Sequence, residues 1–288
     1  MFSHFPPVEN TGTFLGAKGN FQAAKGVILG VPLDDTGSFR PGSRFAPAAV
    51  RSVASALEEY SLYAGKDLRE LSFYDAGDLL LSPGDTTSSE ELIKDSASFL
   101  LRQGKTPFFI GGEHTITAAA VEGCLKRHSE IAVLYLDAHA DLRPSYMGVD
   151  YSHACVAYRL KNMKGVFLYQ LGVRSAEKEE LRFCDNERFA QFSVLEPLKG
   201  FIPQLKELPV YLSIDLDVVD PAFAPGVSVP EPGGISSREI LEVLAALREA
   251  GVFVAAFDMV EICPPYDPSQ ITAMLGAKLL AEAVLSFL

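Results

Sequence analysis

Ile131-Ala132-Val133-Leu134-Tyr135-Leu136 runs straight into Asp137-Ala138-His139-Ala140-Asp141. The first six residues form a continuous apolar run, as in a strand covered on both faces. Such a strand should not finish in two carboxylates and an imidazole, because charge buried without a partner costs several kcal/mol or more. These groups therefore call for a compensating cation. If the strand continues, its period of two turns the side chains at 137, 139 and 141 to one face. That face would carry oxygen and nitrogen donors suited to a divalent metal. A second apolar run closes the same way, in Ser213-Ile214-Asp215-Leu216-Asp217. Two carboxylate-rich strand ends in one chain point to one shared metal site.

Outward from these stretches, apolar runs alternate with helical patterns. Strands are predicted at Val27 to Val31, Leu71 to Tyr74, Pro107 to Ile110, Ile131 to Leu136, Val166 to Leu171, Val210 to Ile214 and Val252 to Phe257. Helices are predicted from Pro47 to Glu59, Ser88 to Arg102, Thr115 to Lys126, Ala176 to Arg182, Ser236 to Ala250 and Pro268 to Phe287. Pro47 suits a first helical turn, and Ser88 or Ser89 is a plausible N-cap with Gly104 as the stop. A polar loop from Asp34 to Gly42 follows the first strand. The alternation argues for an α/β fold, three layers α/β/α, with a mostly parallel central sheet. In such sheets ligands bind beyond the carboxyl ends of the strands, where most of the polar clusters fall.

No linker, low-complexity tract or repeat divides the 288 residues, so residues 1–288 read as one domain. The net charge of −12 argues against nucleic acid and is compatible with a cationic small molecule. Most of that acidity serves solubility. The opening Met1-Phe2-Ser3-His4-Phe5-Pro6-Pro7 lacks the basic and apolar regions of an export signal, and no apolar stretch is long enough to cross a bilayer. Cys124, Cys155, Cys184 and Cys263 are widely spaced and form no CxxC pair. They read as reduced, buried thiols of a cytoplasmic protein.

Six residues are candidate metal ligands: His114, Asp137, His139, Asp141, Asp215 and Asp217. Mixed carboxylate and imidazole donors suit manganese, iron, nickel or zinc better than calcium. The absence of cysteine argues against a structural zinc site. Four aspartates cannot share a small space ionised without cations, which favours two ions over one. Two ions roughly 3.5–4 Å apart would lower the pKa of a shared water. Asp137 and Asp215, at the strand ends, are the expected bridging carboxylates. Each residue also has an ordinary use. His114 could cap the following helix, and Asp217 and Asp220 could be turn residues before Pro221.

Three ordered motifs carry a resemblance. Ile110-Gly111-Gly112-Glu113-His114-Thr115-Ile116-Thr117, Asp137 to Asp141, and Ser213 to Asp217 through Asp220-Pro221 to Pro225-Gly226 resemble the three signatures of the ureohydrolase family of arginases, agmatinases and relatives. With the Pro41-Gly42-Ser43-Arg44-Phe45 loop, the likeness runs from about Gly30 to about Asp267. It implies an arginase-like fold and a binuclear manganese hydrolase that splits a guanidino group into urea and an amine. By the same resemblance, His114, Asp137, Asp141 and Asp215 hold one ion, and Asp137, His139, Asp215 and Asp217 hold the other. A bridging hydroxide is implied as the nucleophile, with Asp141 helping to pass a proton to the departing amine. His153 matches the family's proton-shuttle histidine, and Glu261 matches the carboxylate that orients the substrate guanidinium. A carboxylate suits that role because its two oxygens can meet a planar N–H fork. A homo-oligomer, trimer or hexamer, is implied as well.

The loop Leu142 to Ser152 lacks the Asn- and Thr-rich pattern of arginases and looks more like that of agmatinases. Val229-Pro230-Glu231-Pro232-Gly233-Gly234 and Val260 to Asp267 do too. Agmatine, cleaved to putrescine and urea, is the expected substrate, with Asp150 or Glu231 as candidate partners for its far amine. Arginine, aminopropylagmatine and guanidino acids are the alternatives within the family. A more distant one is a single-zinc amide hydrolase or deacetylase. Ala46 and Ala119 stand where many relatives carry glycine and proline, away from the inferred chemistry.

Overall fold

In each central strand, successive apolar residues belong alternately to two separate cores. Ile131, Val133 and Tyr135 pack on one side, and Ala132, Leu134 and Leu136 on the other. Val27, Leu29 and Val31 likewise oppose Ile28. A strand with apolar residues at every position must be covered on both faces, and helices do the covering. A computed structural model describes residues 5–288. The first four residues of the stretch read as carrying no export signal lie outside the described residues.

In chain order the strands are β1 (Val8–Glu9), β2 (Gly26–Val31), β3 (Tyr60–Ser61), β4 (Lys66–Asp67), β5 (Phe73–Leu79), β6 (Thr106–Gly111), β7 (Ile131–Leu136), β8 (Val166–Val173), β9 (Phe189–Gln191), β10 (Val210–Asp215) and β11 (Val254–Val260). The α-helices are α1 (Ala46–Ala54), α2 (Thr86–Arg102), α3 (Ile116–Leu125), α4 (Val156–Asn162), α5 (Leu195–Leu205), α6 (Ser237–Ala250) and α7 (Ile271–Phe287). One nine-stranded sheet runs in the order β1-β5-β2-β6-β11-β10-β7-β8-β9. Only its edge pair, β1 with β5, is antiparallel. Strands β3 and β4 form a separate hairpin. Helices α2, α3 and α4 contribute to one core, and α1, α5, α6 and α7 to the other. This is the three-layer α/β/α arrangement expected from the sequence.

Several boundaries differ from the reading of the sequence. The first helix ends at Ala54 rather than Glu59, and the chain turns into the β3–β4 hairpin. Strand β5 extends to Leu79, because its interior Asp75 and Asp78 are paired with Arg51 and do not interrupt it. The N-cap of α2 is Asp85, whose carboxylate accepts from Ser88 N at 3.0 Å, in place of Ser88 or Ser89. Where a helix was expected from Ala176 to Arg182 there is only a 3-10 turn, Glu180–Phe183. Helices α4 and α5 and strand β9 were not anticipated. The start of α6 is as read, with a reciprocal cap between Ser236 and Glu239.

Candidate metal centre

Four adjacent strands in the middle of the sheet, β6, β11, β10 and β7, deliver the site from their carboxyl ends. Beyond β6 the chain passes against the exit of β2, with Gly112 N donating to Val31 O and Glu113 N to Leu33 O, both at 2.8 Å. A Cβ on Gly112 would lie 1.8 Å from Leu33 O, so only glycine allows this approach. The crossing sets His114 down inside the sheet end rather than on the surface, and the residue is 1% exposed.

Strand β7 stops at Leu136, so residues 137–141 do not continue it as the period-of-two argument assumed. They are held by the exit of β8. Ser175 N donates to Ala138 O at 2.9 Å, Ala140 N donates to Ser175 O at 3.1 Å, and Gln170 Nε2 donates to Ala140 O at 2.8 Å. Asp141 adopts φ 49° and Glu261 φ 64°, left-handed conformations unusual for residues other than glycine. Strained backbone of this kind collects where side-chain aim matters more than local stability. After β10, a short turn over Leu216–Val218 brings Asp217 back toward β7.

The aspartates and histidines converge. His114 Nδ1 lies 2.9 Å from Asp137 Oδ2, 3.1 Å from Asp215 Oδ2 and 3.8 Å from Asp141 Oδ2. His139 Nδ1 lies 2.8 Å from Asp217 Oδ2 and 3.6 Å from Asp137 Oδ1. Two donor sets result, His114 with Asp137 and Asp141, and His139 with Asp137 and Asp217, the atoms of each within 4.8 Å of one another. Asp137 belongs to both. Asp215 approaches the first set through His114.

The site fits divalent cations on three physical grounds. Asp137 Oδ2 is buried and, despite its nearness to His114, makes no hydrogen bond. Burial, reinforced by neighbouring carboxylates, drives Asp141 and Asp215 well above the usual carboxylate range. Burial opposes the charge of Asp137 as well, but His114 and His139 hold it below that range. Burial also disfavours charge on the two imidazoles, yet the aspartates raise both, so protons serve as the counter-charge. A divalent ion replaces such protons.

Hydrogen bonds behind the site aim His114. Its Nε2 lies 2.9 Å from Ser213 Oγ, which donates to Asp258 Oδ1 at 2.7 Å. Thr117 Oγ1 and Tyr211 Oη donate to Asp258 Oδ2 at 2.7 and 2.6 Å. With the serine proton committed to Asp258, Nε2 carries a proton, and Nδ1, whose own proton faces the aspartates here, is the nitrogen a metal ion would take in place of that proton. The Tyr135 ring stacks on the imidazole at 4.3 Å, and its hydroxyl donates to Asp141 Oδ2 at 2.7 Å. Asp217 accepts from Ala138 N at 3.0 Å while also serving a turn, so the turn and donor readings of this residue hold together. Asp220 is a turn residue, accepting from Ala222, Gly233 and Gly234.

A cleft of about 240 Å³ opens over the cluster, with His153 and Glu261 in its walls. Burial pushes His153 down to about 4, so its ring is neutral at pH 7. Burial, with the nearby Glu113 carboxylate, pushes Glu261 up to about 7. One Glu261 oxygen is taken by His114 N at 2.7 Å. Neither Asp150 nor Glu231 lines the cleft. Besides the clustered aspartates and Glu261, the acidic residues lining it are Glu177 and Glu180, beside Arg143. Glu231 instead holds its loop through its main-chain oxygen, which accepts from Arg174 at 2.6 Å. The Ala176–Arg182 segment held the signal for the acidic wall, but its helical pattern obscured it.

The chain matches the model of the arginase family over residues 24–286. It is 40% identical to an agmatinase of Halalkalibacterium halodurans, over 95% of this chain and 96% of that one. It is 36% identical to an N(1)-aminopropylagmatine ureohydrolase of Thermococcus kodakarensis, over 91% of each. The crystal structure of an agmatine ureohydrolase of Thermoplasma volcanium superposes with a TM-score of 0.83 at 34% identity, covering 96% of this chain and 94% of that one. The family match takes in β2 to β11 and with them the four strand ends that form the site, and the chain belongs to the arginase family.

Proposed function

We propose that this chain is an agmatinase that hydrolyses agmatine to putrescine and urea with two manganese ions. The convergence of two donor sets on the shared Asp137 carries this reading. In it, His114, Asp137, Asp141 and Asp215 hold one ion, and Asp137, His139, Asp215 and Asp217 hold the other. Such a pair, when bound, lowers the pKa of a water and supplies hydroxide near neutral pH. Manganese is favoured because carboxylates outnumber imidazoles and no thiolate takes part.

The remaining residues divide the handling of the substrate. Glu261 faces the cleft from a buried wall, where an entering guanidinium favours its charged form and is oriented by it. Asp141 and His153 handle the proton for the departing amine. A neutral imidazole accepts a proton on one nitrogen while giving one from the other. The acidic wall at Glu177 and Glu180 suits the far ammonium of agmatine. Residues 1–288 act as one unit, and the working protein is a cytoplasmic trimer or hexamer. Among the described residues no helix is long and apolar enough to cross a membrane.

The test is urea release from agmatine, arginine, aminopropylagmatine and guanidino acids, with bound metal measured on the same sample. Agmatine should be turned over fastest, with two manganese ions per chain. Faster turnover of arginine would overturn the substrate. A single zinc per chain with amide hydrolysis would overturn the reaction class.

A further inference from the structure

The loop after β2 has no part in the scheme above, yet it reaches the site. Its two ends are tied together, with Gly42 N donating to Asp34 Oδ2 at 2.6 Å and Arg44 donating to the Asp34 main-chain oxygen. Between these ties, two hydroxyls meet His153 at its two ring nitrogens. Thr36 Oγ1 lies 3.3 Å from Nδ1, and Ser38 Oγ lies 3.2 Å from Nε2. The His153 main-chain N–H also donates to Thr36 Oγ1, at 3.1 Å. Thr36 is itself held by Glu113, a residue 1% exposed. Glu113 Oε2 accepts from the Thr36 main-chain N–H at 2.8 Å and from its hydroxyl at 3.0 Å.

The direction of these bonds fixes the ring. Glu113 Oε2 is an acceptor because the Thr36 amide can only donate to it. The Thr36 hydroxyl proton points to the same oxygen, which leaves Thr36 Oγ1 only lone pairs to offer His153. A hydrogen bond between Thr36 and Nδ1 then requires the ring proton on Nδ1, and Nε2 presents its lone pair toward Ser38, which lines the cleft. Two other hydroxyls are near. Ser152 Oγ is 3.4 Å from Nδ1, and Thr115 Oγ1 is 3.4 Å from Thr36 Oγ1. Neither matches the bond from Thr36 to Glu113 in length.

We propose that Thr36, anchored by Glu113, is a positioning residue that holds His153 as the Nδ1–H tautomer, so that Nε2, beside Ser38, faces the cleft as a proton acceptor. The inference rests on the proton-handling role given to His153. Glu113 and Thr36 then do for this histidine what Asp258 and Ser213 do for His114, from another part of the chain.

The test is a double-mutant cycle of Thr36→Val and His153→Gln, with Thr36→Ser as the conservative variant and bound metal measured throughout. Thr36→Val keeps the shape of the side chain and should lower kcat on the order of 10-fold. KM and metal content should be unchanged, and Thr36→Ser should restore the rate. In the His153→Gln background Thr36→Val should cost nothing more, because the two act as a unit. A second readout is the ring 15N spectrum of histidine-labelled protein loaded with zinc, which keeps the signals sharp. The His153 resonances, assigned from their loss in His153→Gln, should be those of an Nδ1–H ring and should change in Thr36→Val. An Nε2–H ring in the unmutated protein, or an equal Thr36→Val loss with and without His153, would overturn the proposal. Full activity of His153→Gln alone would overturn the histidine's role, and the proposal with it.

Discussion

Two clusters of buried carboxylates in this molecule are balanced in opposite ways. Under the β5 edge of the sheet, Arg51 sits between Asp75 and Asp78, with its side chain only 2% exposed. Its guanidinium makes a two-pronged contact with Asp75, at 2.8 and 2.9 Å, and also reaches Asp78, Thr11 and the Gly77 carbonyl. Burial opposes its charge, but the two aspartates more than offset that and raise its pKa. At the centre of the sheet, four aspartates meet two imidazoles and, among the described residues, no guanidinium or ammonium pairs with them. There Asp137 keeps an oxygen with no hydrogen-bond partner. The edge cluster carries its own cation in the sequence and is complete. The central cluster is complete only with a cation from outside. A count of buried acids would not separate the two, whereas a search for the matching cation does.

The comparison breaks most readily at Asp137, the residue common to both donor sets. Asp137→Ala should reduce turnover by about 10⁴-fold and release metal, since both ions lose a ligand. Elemental analysis alongside the rate checks this. The metal-free variant should unfold no more easily than the metal-free parent, because a crowded negative charge has gone. Arg51→Ala should do the reverse. It leaves two aspartates buried without their cation and should cost about 3–5 kcal/mol of stability. Denaturant titration measures that loss, and the metal bound by the folded fraction should be unchanged. If Arg51→Ala released metal with little loss of stability, the division between the two clusters would fail.

Metal removal separates the clusters without mutation. An ion bound only to the folded state adds about 2.7 kcal/mol at a free concentration 100 times its Kd. Thermal unfolding with chelator and with excess manganese should differ accordingly. The increment should be the same in Arg51→Ala, because the clusters share no residue and independent sites add. An increment that disappeared in Arg51→Ala would mean the two clusters are coupled.

The same contrast decides what was legible in the sequence. The parallel sheet and the cluster of aspartates and histidines at its centre are legible because each depends on a local pattern: an unbroken apolar run, then acids and imidazoles at its end. Strand β5 was cut short because Asp75 and Asp78 look like strand breakers until Arg51, more than twenty residues away, is seen to pair with them. Period-two alternation would gather residues 137, 139 and 141 on one face of a continued strand, whereas β7 stops at Leu136 and the exit of β8 and the left-handed turn at Asp141 bring them together. Asp150 and Glu231 were candidates for substrate contact on charge alone. Which acids face the cleft depends on a 3-10 turn that the helical pattern of residues 176–182 concealed. Thr36, Ser213 and Asp258 carry no signal of their own, since hydroxyls and single acids acquire meaning only from the atoms they meet.

Ser213→Ala makes the smallest and most specific demand on the comparison. Ser213 Oγ takes the proton of His114 Nε2 and passes its own to Asp258, so the alanine leaves Nε2 without an acceptor and Asp258 with one donor fewer. Partners of this kind typically change metal affinity 10–100-fold, which is the expected loss. Overall stability should fall only by about 1 kcal/mol, the usual net worth of one hydrogen bond. Metal titration in a competing chelator measures the affinity, and denaturant unfolding of the metal-free protein measures the stability. A large stability loss with unchanged affinity would mean that Ser213 and Asp258 brace the core as Asp75 and Asp78 do. Weakened affinity in a protein of near-parental stability would mean that Asp258 serves the central cluster, reaching it through Ser213 and His114.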